Sequence, residues 1–217
     1  ALFTKHKIIY PEHAFKIKGS GVDLQQFAYS PIPKDRVKVI LVARMLWDKG
    51  VGEFVESATV LTQQGIDADF LLVGSVDSGN PESISAKQLE QWNKSGVVKW
   101  LGERADIAQL LAESHIAVLP SYREGLPKSL IEAAAVGRAI VTTDVPGCRE
   151  VVKDGENGFL VPAKDAKELS IAIQKLINNP KLLTSMGKKS RLMAEQEFSI
   201  QQIVEQTLKL YKTLKEL

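Results

Sequence analysis

The chain has 217 residues, 44% hydrophobic and 25% charged, which suits a globular fold of one large domain or a domain with an appendage. One cysteine, Cys148, and three histidines, His6, His13 and His115, sit at no CxxC or HExxH spacing, which excludes an internal disulfide and a structural zinc site. The net charge is 28 − 26 = +2 with the basic residues scattered, no apolar run approaches the roughly 20 residues of a membrane span, and no signal-peptide pattern is present; nucleic acid and membrane insertion are set aside, and the chain reads as cytosolic and soluble.

The first 18 or so residues, starting on Ala1, read as the tail of a preceding unit, so the chain is expected to be a fragment. The β-branched run Val37 to Ala43 then predicts a buried strand, and Val51, Phe54, Val55, Ala58 and Leu61 recur at helical spacing until Gly65. This strand-then-helix pattern returns. Strands are expected at Asp69 to Gly74, Val97 to Gly102, Ile116 to Ser121, Ala139 to Thr143 and Gly158 to Pro162, each followed by a helical stretch, the fifth by a short one at Gly147 to Val152. Parallel neighbours need a crossover, and here the crossover is the helix. The expected fold is α/β: a Rossmann-like, doubly wound, parallel six-stranded sheet. After Asp165 the strands cease and three helices follow, two opened by capping boxes, Asp165 with Glu168 and Ser199 with Gln202. The stretch from Ser75 to Ser83 is rich in turn residues and expected to be exposed.

In a doubly wound sheet ligands bind outside the carboxyl ends of the strands, so the residues that follow each strand are the candidates. Arg44 and Lys49 follow the first strand and offer a forked cation and a compact one, as a diphosphate requires. After the fourth come Ser121 to Ser129, in which Gly125 frees the backbone for a ligand and Pro127 is placed for the first turn of a helix. That helix N-terminus suits an anion. Glu124 before the helix and Glu132 within it are carboxylates that a phosphate would repel; they suit the paired hydroxyls of a ligand with a sugar on each side of its diphosphate. A nucleotide sugar has that form. Trp47 either packs over a ligand or caps its loop, Cys148 is expected as a free surface thiol on the ligand edge, and His115 reads as structural. Gly19-Ser20-Gly21 lacks the third glycine of a dinucleotide fingerprint, which disfavours NAD.

These segments resemble the retaining glycosyltransferases of family 4, which have the two-domain GT-B architecture. The matching stretches are GSGVDLQQF from Gly19, ARMLWDKG from Ala43, FLLVG from Phe70, VKWLG from Val98, the long run from Leu119 to Pro162, and FSIQQIVEQTLKLY from Phe198, with an E-x7-E motif at Glu124 and Glu132 as the centre. The group most similar is that of bacterial capsule, lipopolysaccharide and related surface-glycan assembly. The resemblance implies a chain that is one half of a GT-B fold. In it Arg44 and Lys49 hold and stabilise the departing diphosphate, and Glu132 binds the ribose. Glu124 contacts the donor sugar, helped by backbone N–H groups near Gly125, Leu126 and Pro127, and the backbone around Lys99 meets the base. It further implies no cofactor and no metal, since the cations and helix dipole serve instead, and a front-face displacement in which the leaving phosphate assists the acceptor hydroxyl.

The family's amino-terminal domain, with the acceptor site, is absent from this sequence. Residues 1–18 are then its remnant, 19–198 the nucleotide-sugar domain, and 199–217 a helix directed to the missing half. The implied function is transfer of a hexose or N-acetylhexosamine from a nucleotide sugar, with UDP the expected nucleotide, to a glycan or lipid-linked acceptor. The isolated chain is expected to bind donor without turnover, in the cytoplasm or peripherally at the inner face of the cytoplasmic membrane. A free-standing nucleotide-sugar binding module and a GT-B-fold UDP-sugar epimerase remain the alternatives.

Overall fold

The computed structural model describes residue 10, residues 17–19 and residues 21–215. Six strands form one parallel sheet: β1 (Val37–Val42), β2 (Ala68–Val73), β3 (Lys99–Trp100), β4 (Ile116–Leu119), β5 (Ala139–Thr143) and β6 (Gly158–Val161), in the order β3-β2-β1-β4-β5-β6. The helices are α1 (Val51–Gln63), α2 (Ala86–Lys94), α3 (Ile107–Ala112), α4 (Lys128–Val136), α5 (Pro146–Val151), α6 (Ala166–Ile177), α7 (Pro180–Glu197) and α8 (Ile200–Lys215). The doubly wound fold is the one expected. β3 is shorter than the predicted Val97 to Gly102: Leu71 and Leu72 match Lys99 and Trp100, and although the Gly102 carbonyl still accepts the Gly74 N–H at 2.8 Å, φ of 68° takes Gly102 out of the strand conformation.

Strand alternation sorts the core into two layers, as it must in a sheet buried on both faces. Val39, Leu41, Phe70, Leu72, Ile116, Val118 and Val141 face α1, α2 and α6, meeting Phe54, Leu61, Leu89, Leu169 and Ile173. Ile40, Leu71, Val73, Ala117, Leu119 and Ile140 face the other way, against Leu111 of α3, Leu130 and Ala134 of α4, Val151 of α5 and Ala194 of α7. α4 and α7 approach closely at Gly187, where a Cβ would overlap the Gly137 carbonyl. Both expected capping boxes supply their N-cap bond: the Asp165 carboxylate accepts the Glu168 N–H at 2.9 Å and the Ser199 hydroxyl accepts the Gln202 N–H at 3.2 Å.

Two buried polar groups fix the amino rim of the sheet. Arg138 is fully buried, and its guanidinium donates to the carbonyls of Ser30, Ser114 (2.7 Å), Val136 (3.1 Å) and Pro31 (3.3 Å). Burial pushes its pKa down to about 10. His115, also buried, accepts the Lys38 N–H through Nδ1 at 3.1 Å, the structural role the sequence suggested.

The chain's two outer segments run side by side. Val22 donates to the Phe198 carbonyl at 2.8 Å and Ile200 to the Val22 carbonyl at 3.0 Å, while Lys18 pairs with Glu197 and stands over the Phe198 ring. Beyond this bridge α8 presents Ile200, Val204, Leu208 and Tyr211, all exposed, along one stripe. Most of residues 1–18 lies outside the described residues. Among the described residues no helix is long and apolar enough to cross a membrane.

Candidate functional site

The order of strands reverses between β1 and β4, and a crevice for ligands opens at such a switch point. The loop after β1 closes a 3-10 turn at Trp47–Lys49 on Gly50, whose φ of 71° favours glycine. A Cβ on Gly50 would overlap the Pro120 carbonyl, so the absence of a side chain lets this loop lie directly on the end of β4. The Tyr122 N–H donates to the Asp48 carbonyl at 2.9 Å and ties the two loops together.

That apposition brings Lys49 to Glu124. The ammonium lies 2.6 Å from Oε1 of Glu124, and the Ser121 hydroxyl donates to the same oxygen at 2.7 Å. Ser121 is itself held from β5, its carbonyl accepting the Thr143 hydroxyl. The loop beyond is supported from below by α5: a Cβ on Gly147 would overlap the carbonyls of Glu124 and Gly125. A Cβ on Gly125, by contrast, would stand in open space, so packing within the chain does not require a glycine there. Beside it, Leu126 rests on Gly19, and a hollow of about 190 Å³ opens between Lys18, Gly125, Pro146 and Glu150.

Pro127 differs from its expected place by one position. With ψ at 110° it is the N-cap of α4 and not its first turn, its extended backbone passing the carbonyl to Leu130 and Ile131 at 3.1 and 3.3 Å. No side chain caps this N-terminus. Glu132 lies just over one turn inside α4, with its side chain 12% exposed and the Lys128 ammonium 3.7 Å away. Burial pushes its carboxyl above the ordinary range, with Lys128 opposing.

The remaining residues are more dispersed. Arg44 turns away from Lys49 and donates to Oδ2 of Asp77 at 2.6 Å, on the exposed loop between β2 and α2. Lys99 lies at the opposite rim, where it lines a hollow of about 410 Å³ with Arg36, Ala68 and Asn93; its side chain is not part of the cluster. Trp47 stands edge-on to Trp92 at 5.8 Å and remains exposed. Cys148 is not a surface thiol. The helix that begins at Pro146 turns Cys148 onto the sheet, where it is fully buried with Sγ 3.1 Å from the Thr142 hydroxyl, and burial raises its pKa.

Three participants carry no motif. Asp77 is the partner of Arg44; the sequence marks its segment only as a turn. The Tyr122 hydroxyl donates to Glu53 on α1 at 2.6 Å, and burial together with that carboxylate pushes the phenol's pKa up. Lys164, a non-glycine at φ 63°, sets its ammonium 4.8 Å from the centre of the Tyr122 ring.

The family described as Glycosyl transferases group 1 matches residues 23–193. The chain is 43% identical over 208 residues to the N,N'-diacetylbacillosaminyl-diphospho-undecaprenol alpha-1,3-N-acetylgalactosaminyltransferase of Campylobacter jejuni, covering 90% of this chain and 53% of that protein. It is 29% identical over 226 residues to the capsular polysaccharide biosynthesis glycosyltransferase CapM of Staphylococcus aureus, covering 96% of this chain and 59% of that one. The chain thus spans about half the length of these curated relatives. Anabaena Alr3699/HepE, solved in complex with UDP-glucose, superimposes with a TM-score of 0.78 at 25% identity over 93% of this chain and 57% of that one.

Proposed function

The chain belongs to the glycosyl transferases of group 1, and on that premise we propose that it is the donor-binding half of a retaining, family 4 glycosyltransferase. The donor is a UDP-sugar carrying a hexose or N-acetylhexosamine, and the acceptor a glycan or lipid-linked glycan of bacterial surface-polysaccharide assembly. The observation that carries this reading is the Lys49–Glu124 pair at the switch point, beside the uncapped N-terminus of α4 and one helical turn from Glu132.

The roles follow from the chemistry of each group. Lys49 and Arg44 present charge to the diphosphate and hold it as the bond to the sugar breaks. The N-terminus of α4 adds its N–H groups and dipole. Glu132 accepts from the ribose hydroxyls and Glu124 from those of the sugar, with the open backbone at Gly125 admitting the ligand. No metal is required. The 43% identity to an N-acetylgalactosaminyltransferase supports an N-acetylhexosamine donor, and the name of the CapM relative supports surface polysaccharide as the product. Residues 19–198 then form the donor domain. The apolar stripe of α8, which lies beyond the matched family region, covers the other half of the enzyme.

Calorimetric titration of UDP, UDP-N-acetylgalactosamine, UDP-glucose and GDP-mannose in excess chelator tests this. UDP and the UDP-N-acetylhexosamine are expected to bind. Binding that needs Mg²⁺ or Mn²⁺ overturns the metal-free reading, and preference for GDP-mannose overturns the donor.

A further inference from the structure

The Arg44–Asp77 contact has a geometry that the donor-site reading does not supply. Asp77 is held to its place by the loop that carries it. Its N–H donates to the Ser83 hydroxyl at 3.2 Å and its carbonyl accepts the Asn80 N–H at 2.9 Å. The loop in turn is zipped along residues 45–47: Met45 donates to the Ser75 carbonyl (3.0 Å), Trp47 to Glu82 (2.8 Å), and Ile84 to Met45 (2.9 Å), with Leu46 and Ser83 bridged. The Asp77 carboxylate is therefore presented to Arg44 by a backbone that is itself anchored.

Both cations at the mouth of β1 are thus matched by carboxylates, Lys49 by Glu124 and Arg44 by Asp77. Asp48, between the two cations in sequence, pairs with neither but stands 3.9 Å from the exposed Arg123. Each cation of the β1 loop is therefore already paired, so a diphosphate that uses Arg44 or Lys49 must take it from its carboxylate. The two pairs differ in how readily they yield. Glu124 is 12% exposed and is also held by Ser121, whereas the Arg44 side chain is 58% exposed and its pair with Asp77 is worth little in water.

Resting on the donor-site reading, the geometry points to Asp77 as a built-in competitor of the diphosphate: its carboxylate occupies Arg44 in the empty site and is displaced from it when a nucleoside diphosphate binds. Asp77 thereby sets donor affinity from a loop outside the E-x7-E segment. Because the pair is exposed, its removal should change affinity by about two- to fivefold.

The test is a double-mutant cycle on this chain, with UDP and inorganic pyrophosphate as calorimetric probes for wild type, Asp77→Asn, Arg44→Ala and the double variant. Asp77→Asn is expected to tighten UDP by about two- to fivefold and Arg44→Ala to weaken it. In the Arg44→Ala background, Asp77→Asn should change nothing. Melting temperatures of all four should agree, which keeps loop collapse out of the comparison. Weaker binding by Asp77→Asn makes the carboxylate an orienting partner of Arg44 and overturns the proposal. Equal tightening with and without Arg44 makes it a diffuse field effect and overturns it too. If wild type binds neither UDP nor pyrophosphate, the donor-site reading fails and takes this inference with it; if wild type binds and Asp77→Asn has no effect, only the inference fails.

Discussion

Lys49 and Glu124, contributed from opposite sides of the reversal in strand order, share an ion pair of 2.6 Å whose carboxylate oxygen also takes the Ser121 hydroxyl. With side chains 20% and 12% exposed, each partner would be left in a largely dry place without the other. Lys49→Met is therefore expected to cost about 1–3 kcal/mol of folding stability, and Lys49→Met combined with Glu124→Leu less than that. Urea denaturation of the two variants checks this, and additive losses would show that the pair is not coupled.

The two glutamates should separate by ligand. Glu132→Ala is expected to weaken UDP and UDP-sugar alike by about 1–3 kcal/mol, the scale of hydrogen bonds to a charged group. Glu124→Gln should leave UDP nearly unaffected and reduce the preference for UDP-sugar over UDP. If Glu124→Gln lowers UDP affinity as much as Glu132→Ala, its role is to organise the loop and not to bind sugar.

Two glycines a short distance apart should respond in opposite ways. Gly147→Ala places a methyl against the Glu124 and Gly125 carbonyls and is expected to cost about 1–3 kcal/mol of stability through overpacking. Gly125→Ala meets open space, so stability should stay within about 0.5 kcal/mol while donor affinity falls. Thermal melts paired with UDP-sugar titration distinguish them, and unchanged donor binding by Gly125→Ala would remove that backbone from the site.

Stability should depend on pH through His115. Burial lowers its pKa from 6.5, with Asp35, 4.0 Å from Nε2, opposing. The unfolded chain takes up the proton first, so this contribution is complete above the unfolded value of about 6.5 and is lost as pH falls toward the lower folded value. Melts between about pH 7.5 and 5.5 should show a shallower decline in His115→Asn than in wild type; parallel curves would contradict the assignment.

Much of the fold was legible because a sheet buried on both faces writes its strands as short apolar, β-branched runs, as in Val39 to Ala43 and Ala139 to Thr143. The boundaries that slipped are those where backbone torsions decide: Pro127 became a cap through its ψ, and Gly102 lies outside β3 with a φ that no strand residue adopts. In the site, Lys49 and Glu124 were legible as members of a carboxyl-end cluster, but their direct pairing depends on Gly50 packing against Pro120, a contact between segments 70 residues apart. Asp77 was not legible as a partner of Arg44, since its place comes from a zipper between two loops. Cys148 was misjudged because a turn signal gives no direction in which the next helix faces.

With every strand parallel, all carboxyl ends lie at one rim and all amino ends at the other. The fastenings of the scaffold, Arg138 with its carbonyls and His115 with Lys38, belong to the amino rim; Lys49, Glu124, Asp77 and the N-terminus of α4 belong to the carboxyl rim. The contacts that hold the amino rim therefore share no side chain with those that would meet a ligand. A library randomised at Asp77, Arg123 and Gly125, whose side-chain positions are at least partly exposed or meet open space, would sample new ligand preferences while the fastenings of the amino rim stay in place.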